Sequence, residues 1–227
     1  MPRALWIPDL LSDFKVRFDL APGWETRGSS DFDPKVVIAH HTAVSGSAVN
    51  VCINGRSDLP GPLCQIVLAR TGVATVIAAG KANHAGHGGW AGYSGNRRAF
   101  GIEADNNGRE TWSAGQIEAF HRVSAALLAG IGSDPSHLCG HKEWAPGRKV
   151  DPHTLDMNEF RAAVGLDLQW WRNQTAEDDM FEKPDRDKLN AAHMLATQAN
   201  ERVGRIEALL VEQTRLLEAI AEKHGVD

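Results

Sequence analysis

Residues 35–40, Lys35-Val36-Val37-Ile38-Ala39-His40, form a β-branched run whose four middle residues are all apolar. Such a stretch, with no polar alternation, predicts a strand buried on both faces at the centre of a sheet. It ends on two histidines, His40 and His41, at the C-terminal end of the strand, where open sheets present their chemistry. Two further apolar runs, residues 65–69 and 73–79, are joined by Arg70-Thr71-Gly72 and predict a β-hairpin. Residues 99–105 predict another strand, with Glu103 held in apolar company. At Ser113 the period becomes helical. Ile117, Phe120, Val123, Leu127 and Leu128 share a face, Ser113 and Gln116 have capping-box spacing, and Gly130 and Gly132 mark the end. Asp156, with Glu159 three residues on, opens a last short helix expected to end near Gly165.

The intervals read as connections. Residues 1–34, punctuated by Pro, Asp and Gly, are expected to pack on the domain as an irregular lead-in. Residues 42–63 and 80–96 read as loops, and the apolar patch at residues 48–53 fits a short helix or a strand equally. Strands mixed with helices make this an α/β domain over residues 35–168. Residues 169–187 turn polar and acidic and read as a linker. Beyond it Leu189, Ala192, Ala196, Ala199, Val203, Ile206, Leu210, Gln213, Leu217 and Ile220 keep alternating steps of three and four. That heptad seam predicts a C-terminal α-helical coiled-coil tail over residues 188–224 and, through it, a homo-oligomer. An amphipathic helix folded back on the domain is the alternative.

Charge sharpens the division. Residues 174–227 hold 7 of the 24 basic and 12 of the 29 acidic side chains, leaving seventeen of each before them, so the net charge of −5 resides in the tail. Neither part carries the basic patch that nucleic-acid binding requires, so no nucleic-acid partner is expected. No run approaches the ~20 apolar residues of a membrane span. Three cysteines, Cys52, Cys64 and Cys139, are too few for a disulfide framework and include no Cys-x-x-Cys pair; Cys52 and Cys64 could bridge across one loop, but free, half-buried thiols are the expected state.

The densest chemistry lies in Gly140-His141-Lys142-Glu143-Trp144-Ala145-Pro146-Gly147-Arg148-Lys149-Val150-Asp151-Pro152. Two prolines stiffen this loop and two glycines admit conformations closed to other residues, so it can hold side chains in a defined geometry. His141 and Asp151, ten residues apart across a Pro-Gly turn, can join His40 in holding one zinc ion. Two imidazoles and a carboxylate leave a fourth position open, which is what zinc hydrolysis of an amide needs. Each histidine alone would read as structural; together with the loop they read as a metal site.

The segments Val37-Ile38-Ala39-His40-His41-Thr42-Ala43, Gly101-Ile102-Glu103 and the loop from Gly140 to Pro152 resemble the zinc-dependent N-acetylmuramoyl-L-alanine amidases of the peptidoglycan-recognition type, over roughly residues 35–164. The resemblance implies a central mixed β-sheet flanked by helices. It also implies cleavage of the amide between the lactyl group of N-acetylmuramic acid and the L-alanine of the stem peptide, with bacterial peptidoglycan as the partner. It assigns the metal to His40, His141 and Asp151. Lys149 is assigned to the oxyanion and Glu103 to proton transfer, while His84, Trp90 and Tyr93 belong to the substrate-contacting segment. Some members carry a tyrosine where this sequence has Cys64, a weak donor. The residues at the N-terminus lack the apolar core of a signal peptide, so the expectation is a phage endolysin made in the host cytoplasm and released to the wall by another protein. The alternatives are a non-catalytic peptidoglycan-binding module and a cytosolic amidase that recycles muropeptides.

The two-part reading predicts that deleting residues 174–227 leaves the hydrolysis rate on a soluble muropeptide unchanged. A loss of more than about tenfold on that small substrate, with the truncated protein folded, would instead make the tail part of the catalytic unit.

Overall fold

The computed structural model describes residues 3–180 and Gln213. The chain divides into two units, Met1–Arg172 and Asn173–Asp227. The heptad seam and the oligomer expected from residues 188–224 fall, Gln213 apart, outside the described residues.

Along the chain the elements are α1 (Ile7–Asp13), β1 (Phe18–Leu20), β2 (Val36–His41) and α2 (Val49–Asn54), followed by a small hairpin of β3 (Gly55–Arg56) and β4 (Leu59–Pro60). Next come β5 (Ile66–Leu68), β6 (Ala74–Val76), a second small hairpin of β7 (Gly89–Trp90) and β8 (Tyr93–Ser94), and β9 (Ala99–Ala104). The series closes with α3 (Ala114–Gly130), β10 (Leu138–Gly140), α4 (His141–Trp144) and α5 (Met157–Met180). Six strands make one sheet in the order β1-β6-β5-β9-β2-β10. Only the β5–β6 hairpin is antiparallel, so the sheet is mixed.

Alternation along the strands sorts the core. Val37 and Ala39 of β2, with Phe100, Ile102 and Ala104 of β9, face a layer that contains Leu11 of α1, Phe120, Val123 and Leu127 of α3, and Phe160, Val164 and Leu168 of α5. Val36, Ile38, Ala99 and Cys139 face the other way, against Ala85, Trp144 and Ala145. His40 and Glu103 follow the second parity. The site therefore lies on the face opposite α1, α3 and α5. Ser113 caps α3 by accepting the Gln116 N–H at 3.2 Å, while the Gln116 side chain turns to the Asp105 carbonyl at 2.9 Å. Only half of the expected capping box forms.

Three expectations are corrected. The lead-in is not irregular: α1 packs on the domain and β1 adds a parallel edge strand to β6, continued by the Ala74 N–H on Arg17 O and the Ala21 N–H on Val76 O. Trp6 closes over Phe100 at 5.7 Å, and a Cβ on Gly130 would lie 2.1 Å from the Trp6 ring, so that glycine serves close packing as well as helix ending. Strand β10 is additional, three residues too short to show a period. Finally, the last helix does not stop at Gly165 but runs to Met180, through the first part of the span read as linker. Asp156 caps it through the N–H groups of Asn158 and Glu159.

Phe100 is fully buried and meets Phe32 edge-on at 4.9 Å as well as Trp6. Phe100→Ala is expected to destabilise the domain by about 3–5 kcal/mol. Thermal unfolding reads this as a drop on the order of 10 °C for a domain of this size. A change below about 1 kcal/mol would mean that the core closes over the cavity or is packed elsewhere.

Candidate metal centre

Parallel pairing assembles the site. In the register of β10, β2 and β9, Gly140 lies beside Ala39 and His40 beside Glu103. His141, the first residue of α4, therefore emerges next to His40 at the same end of the sheet. Glu143 fastens this turn: its carboxylate accepts the Gly140 N–H at 2.9 Å and is gripped by both terminal nitrogens of Arg161 at 2.8 and 3.0 Å. The loop then doubles back, with the Lys142 N–H on Asp151 O at 2.7 Å and Lys142 Nζ on Leu155 O at 2.6 Å. Asp151 is thereby brought to the two histidines. Behind it, His41 Nδ1 accepts the His153 N–H at 3.0 Å, a structural contact on the neighbouring turn.

The three side chains converge by named atoms. His40 Nδ1 lies 2.9 Å from His141 Nδ1 and 3.2 Å from Asp151 Oδ2, and His141 Nδ1 lies 3.0 Å from the same oxygen. All three residues are buried. Burial pushes the His40 pKa down to about 4, so its imidazole is neutral at physiological pH. Burial alone would raise the pKa of Asp151, but the neighbouring His141 and His40 outweigh it and hold the carboxyl well below the usual range.

This triangle fits a cation. His141 Nε2 faces the Ala85 carbonyl at 3.1 Å. A carbonyl only accepts, so Nε2 carries a hydrogen, and in the ligating form of the ring Nδ1 offers its lone pair to a metal ion. Donors about 2.1 Å from a tetrahedral zinc lie roughly 3.4 Å from one another, and the observed edges come within about half an ångström of that. Two nitrogens and one oxygen suit zinc.

Around the triangle lies a cleft of about 410 Å³, lined by the polar side chains of His84, Glu103, Arg148 and Lys149 and by the apolar ones of Val44, Val51, Leu59 and Leu63. Glu103 Oε1 stands 3.9 Å from His40 Nδ1, and its Oε2 is buried with no hydrogen-bond partner. Burial, helped by the charge of Asp151, pushes the Glu103 pKa up to about 8. Lys149 lines the cleft, and its ammonium has no ion-pair or hydrogen-bond partner among the described residues. Arg148 is held by the carbonyls of Ala85 and His87.

The structure thus brings six of the eight sequence-predicted residues to one cleft. His84 lines it, but both ring nitrogens are engaged, one by His40 Nε2 at 3.0 Å and one by Ala99 O at 3.1 Å, leaving none for a substrate carbonyl. Trp90 and Tyr93 do not line it. Gly88 lies against Trp144, where a Cβ would stand 2.2 Å from the Trp144 carbonyl. Trp90 donates to Ser136 O at 2.7 Å and lies beneath Arg161, and Tyr93 tilts on His137. Cys64 is fully buried beside Cys52 and does not reach the cleft. Arg56, on the β3–β4 hairpin, lines the cleft and belongs to no recognisable motif. Gly101 did carry a signal, since an isolated glycine within a strand marks a close approach.

The family model of the N-acetylmuramoyl-L-alanine amidases matches residues 30–154. The chain belongs to this family. It is an amidase of peptidoglycan, as the resemblance implied. No curated protein sequence matches it. Among solved structures, the endolysin N-acetylmuramoyl-L-alanine amidase LysCS from Clostridium intestinale is similar at a TM-score of 0.50 and 20% identity, over 65% of this chain and 95% of that one. A selenomethionine derivative of AmpD gives 0.51 and 22%, over 66% and 94%. The catalytic domain of XlyA gives 0.50 and 21%, over 66% and 99%. At these identities the likeness is one of fold.

Proposed function

We propose that this amidase is zinc-dependent, that His40, His141 and Asp151 hold the ion, and that it acts on the polymeric wall in phage-mediated lysis of a bacterial host. The observation that carries the zinc reading is the meeting of three buried donor atoms, two imidazole nitrogens and a carboxylate oxygen, at 2.9–3.2 Å with no protein cation among them. Zinc held there supplies a Lewis acid that polarises the scissile carbonyl and makes a water nucleophilic near neutral pH.

The protein's own groups supply the rest. Glu103 is a buried carboxyl whose protonated and ionised forms lie close in energy near neutrality, and a cation beside it draws that balance further towards the ionised form. Such a group can take a proton from the attacking water and return it to the nitrogen of the departing L-alanine. Its unpartnered Oε2 is free to do so. The ammonium of Lys149 can stabilise the charge that develops on the carbonyl oxygen as the carbon becomes tetrahedral. The apolar wall of Val44, Val51, Leu59 and Leu63 suits the methyl groups of the lactyl and alanyl residues, and it keeps bulk water from part of the cleft.

The lytic role draws support from the endolysin fold, and from the acidic heptad tail, which through self-association would add multivalent grip on a polymer and little on a small fragment. The test is incubation of the full chain with purified cell walls, measuring new free L-alanine amino groups with and without a chelator, alongside His141→Ala. Chelator-sensitive release restored by zinc is expected, with His141→Ala at least about 10³-fold slower because the open metal site is lost. New reducing ends without new amines would mean glycan cleavage. Wall binding with neither product, in zinc-loaded protein, would leave a recognition module.

A further inference from the structure

We propose that His84 and Ala85 act together as a positioning segment that orients both histidine ligands, and that Gly101 is glycine so that His84 can do this. The inference rests on the zinc reading above.

The hydrogen-bond directions can be followed from an unambiguous end. Ala99 O can only accept, so His84 Nε2, 3.1 Å away, donates to it. The neutral His84 ring then has a bare Nδ1, and this lies 3.0 Å from His40 Nε2. His40 must donate there, which leaves its Nδ1 with a lone pair directed at His141 and Asp151. The two rings stand nearly perpendicular, at 89° with centroids 5.1 Å apart, as an in-plane N–H aimed at a neighbouring ring nitrogen allows. One residue further, Ala85 O receives the His141 Nε2–H at 3.1 Å. The side chain of one residue and the carbonyl of the next thus select the ligating tautomer of each histidine, a role that outer partners of metal-bound imidazoles commonly fill.

The segment is itself anchored. Asn96 Oδ1 accepts the backbone N–H groups of both His84 and Ala85, at 3.0 and 2.8 Å. The His84 ring lies flat over Gly101, where a Cβ would stand 2.6 Å from its Cγ and Nδ1. Gly101 cannot retreat, because fully buried Gln65 holds it at both ends: Oε1 accepts the Gly101 N–H at 2.7 Å, and the Gln65 N–H donates to Gly101 O at 3.1 Å. A side chain at position 101 therefore displaces the His84 ring. His84 touches no reacting atom in this scheme.

The test is zinc affinity of the full chain, measured by competition with a chromophoric chelator, together with nitrogen NMR of the histidine tautomers in wild-type protein. His40 is expected with its hydrogen on Nε2. His84→Ala should weaken zinc about 10–100-fold, the usual cost of losing such a partner. Gly101→Ala should do about the same, and the double variant should bind within about threefold of the weaker single one, since both changes break one contact. A His40 hydrogen on Nδ1 in wild-type protein, His84→Ala affinity within about twofold of wild type, or effects of the two substitutions that multiply, would each overturn the proposal. Should either variant fail to fold, the wild-type tautomer decides alone. Wild-type protein that binds no zinc would sink the zinc reading itself, whereas tight wild-type binding with an indifferent His84→Ala sinks only this inference.

Discussion

The centre depends on one register, the parallel pairing of β10, β2 and β9. It sets Gly140 beside Ala39 and His40 beside Glu103, so that two histidines and an acid reach one end of the sheet from three distant parts of the sequence. A slip of one residue would turn His40 to the helix-covered face of the sheet, away from His141 and Asp151. The apolar residues of β2 prevent that slip, since Val36 to Ala39 are wholly buried and each parity has its own partners. Core packing therefore does the positioning, and the site adds polar groups to an already determined frame.

Those groups sit in surroundings that work against their charged states. Burial lowers His40 and raises Glu103, and the carboxyl of Asp151 is held low against burial by the histidines beside it. Each shift has a use in hydrolysis of an amide. A neutral imidazole is a ligand, an ionised aspartate offsets a dication, and an acid balanced near neutrality moves protons in both directions. Removing a single member would leave the others buried without their counterpart, which is why the centre reads as one unit.

Much of this was legible in the sequence, where the chemistry is local. The β-branched run ending in His40, the Glu103 strand and the Pro-Gly loop carrying His141, Lys149 and Asp151 each announce themselves by residue type and spacing. What could not be read depends on contacts across the fold. Strand β10 is three residues long and exists because β2 pairs with it, and β1 exists because β6 offers an open edge. Helix α5 passes Gly165, where no turn intervenes, and continues through acidic residues whose polarity suggested a linker. His84 looked like a substrate donor because nothing local shows that its ring meets His40 and Ala99 O. Trp90 and Tyr93 looked like sugar contacts, and nothing local shows that they meet Ser136 and His137 instead.

The most direct measurement is anomalous scattering at the zinc absorption edge from crystals of the zinc-loaded full chain. The geometry predicts one strong peak at bonding distance, about 2.0–2.2 Å, from His40 Nδ1, His141 Nδ1 and an Asp151 carboxylate oxygen. A peak bonded through either Nε2, or zinc bound only elsewhere on the chain, would contradict it.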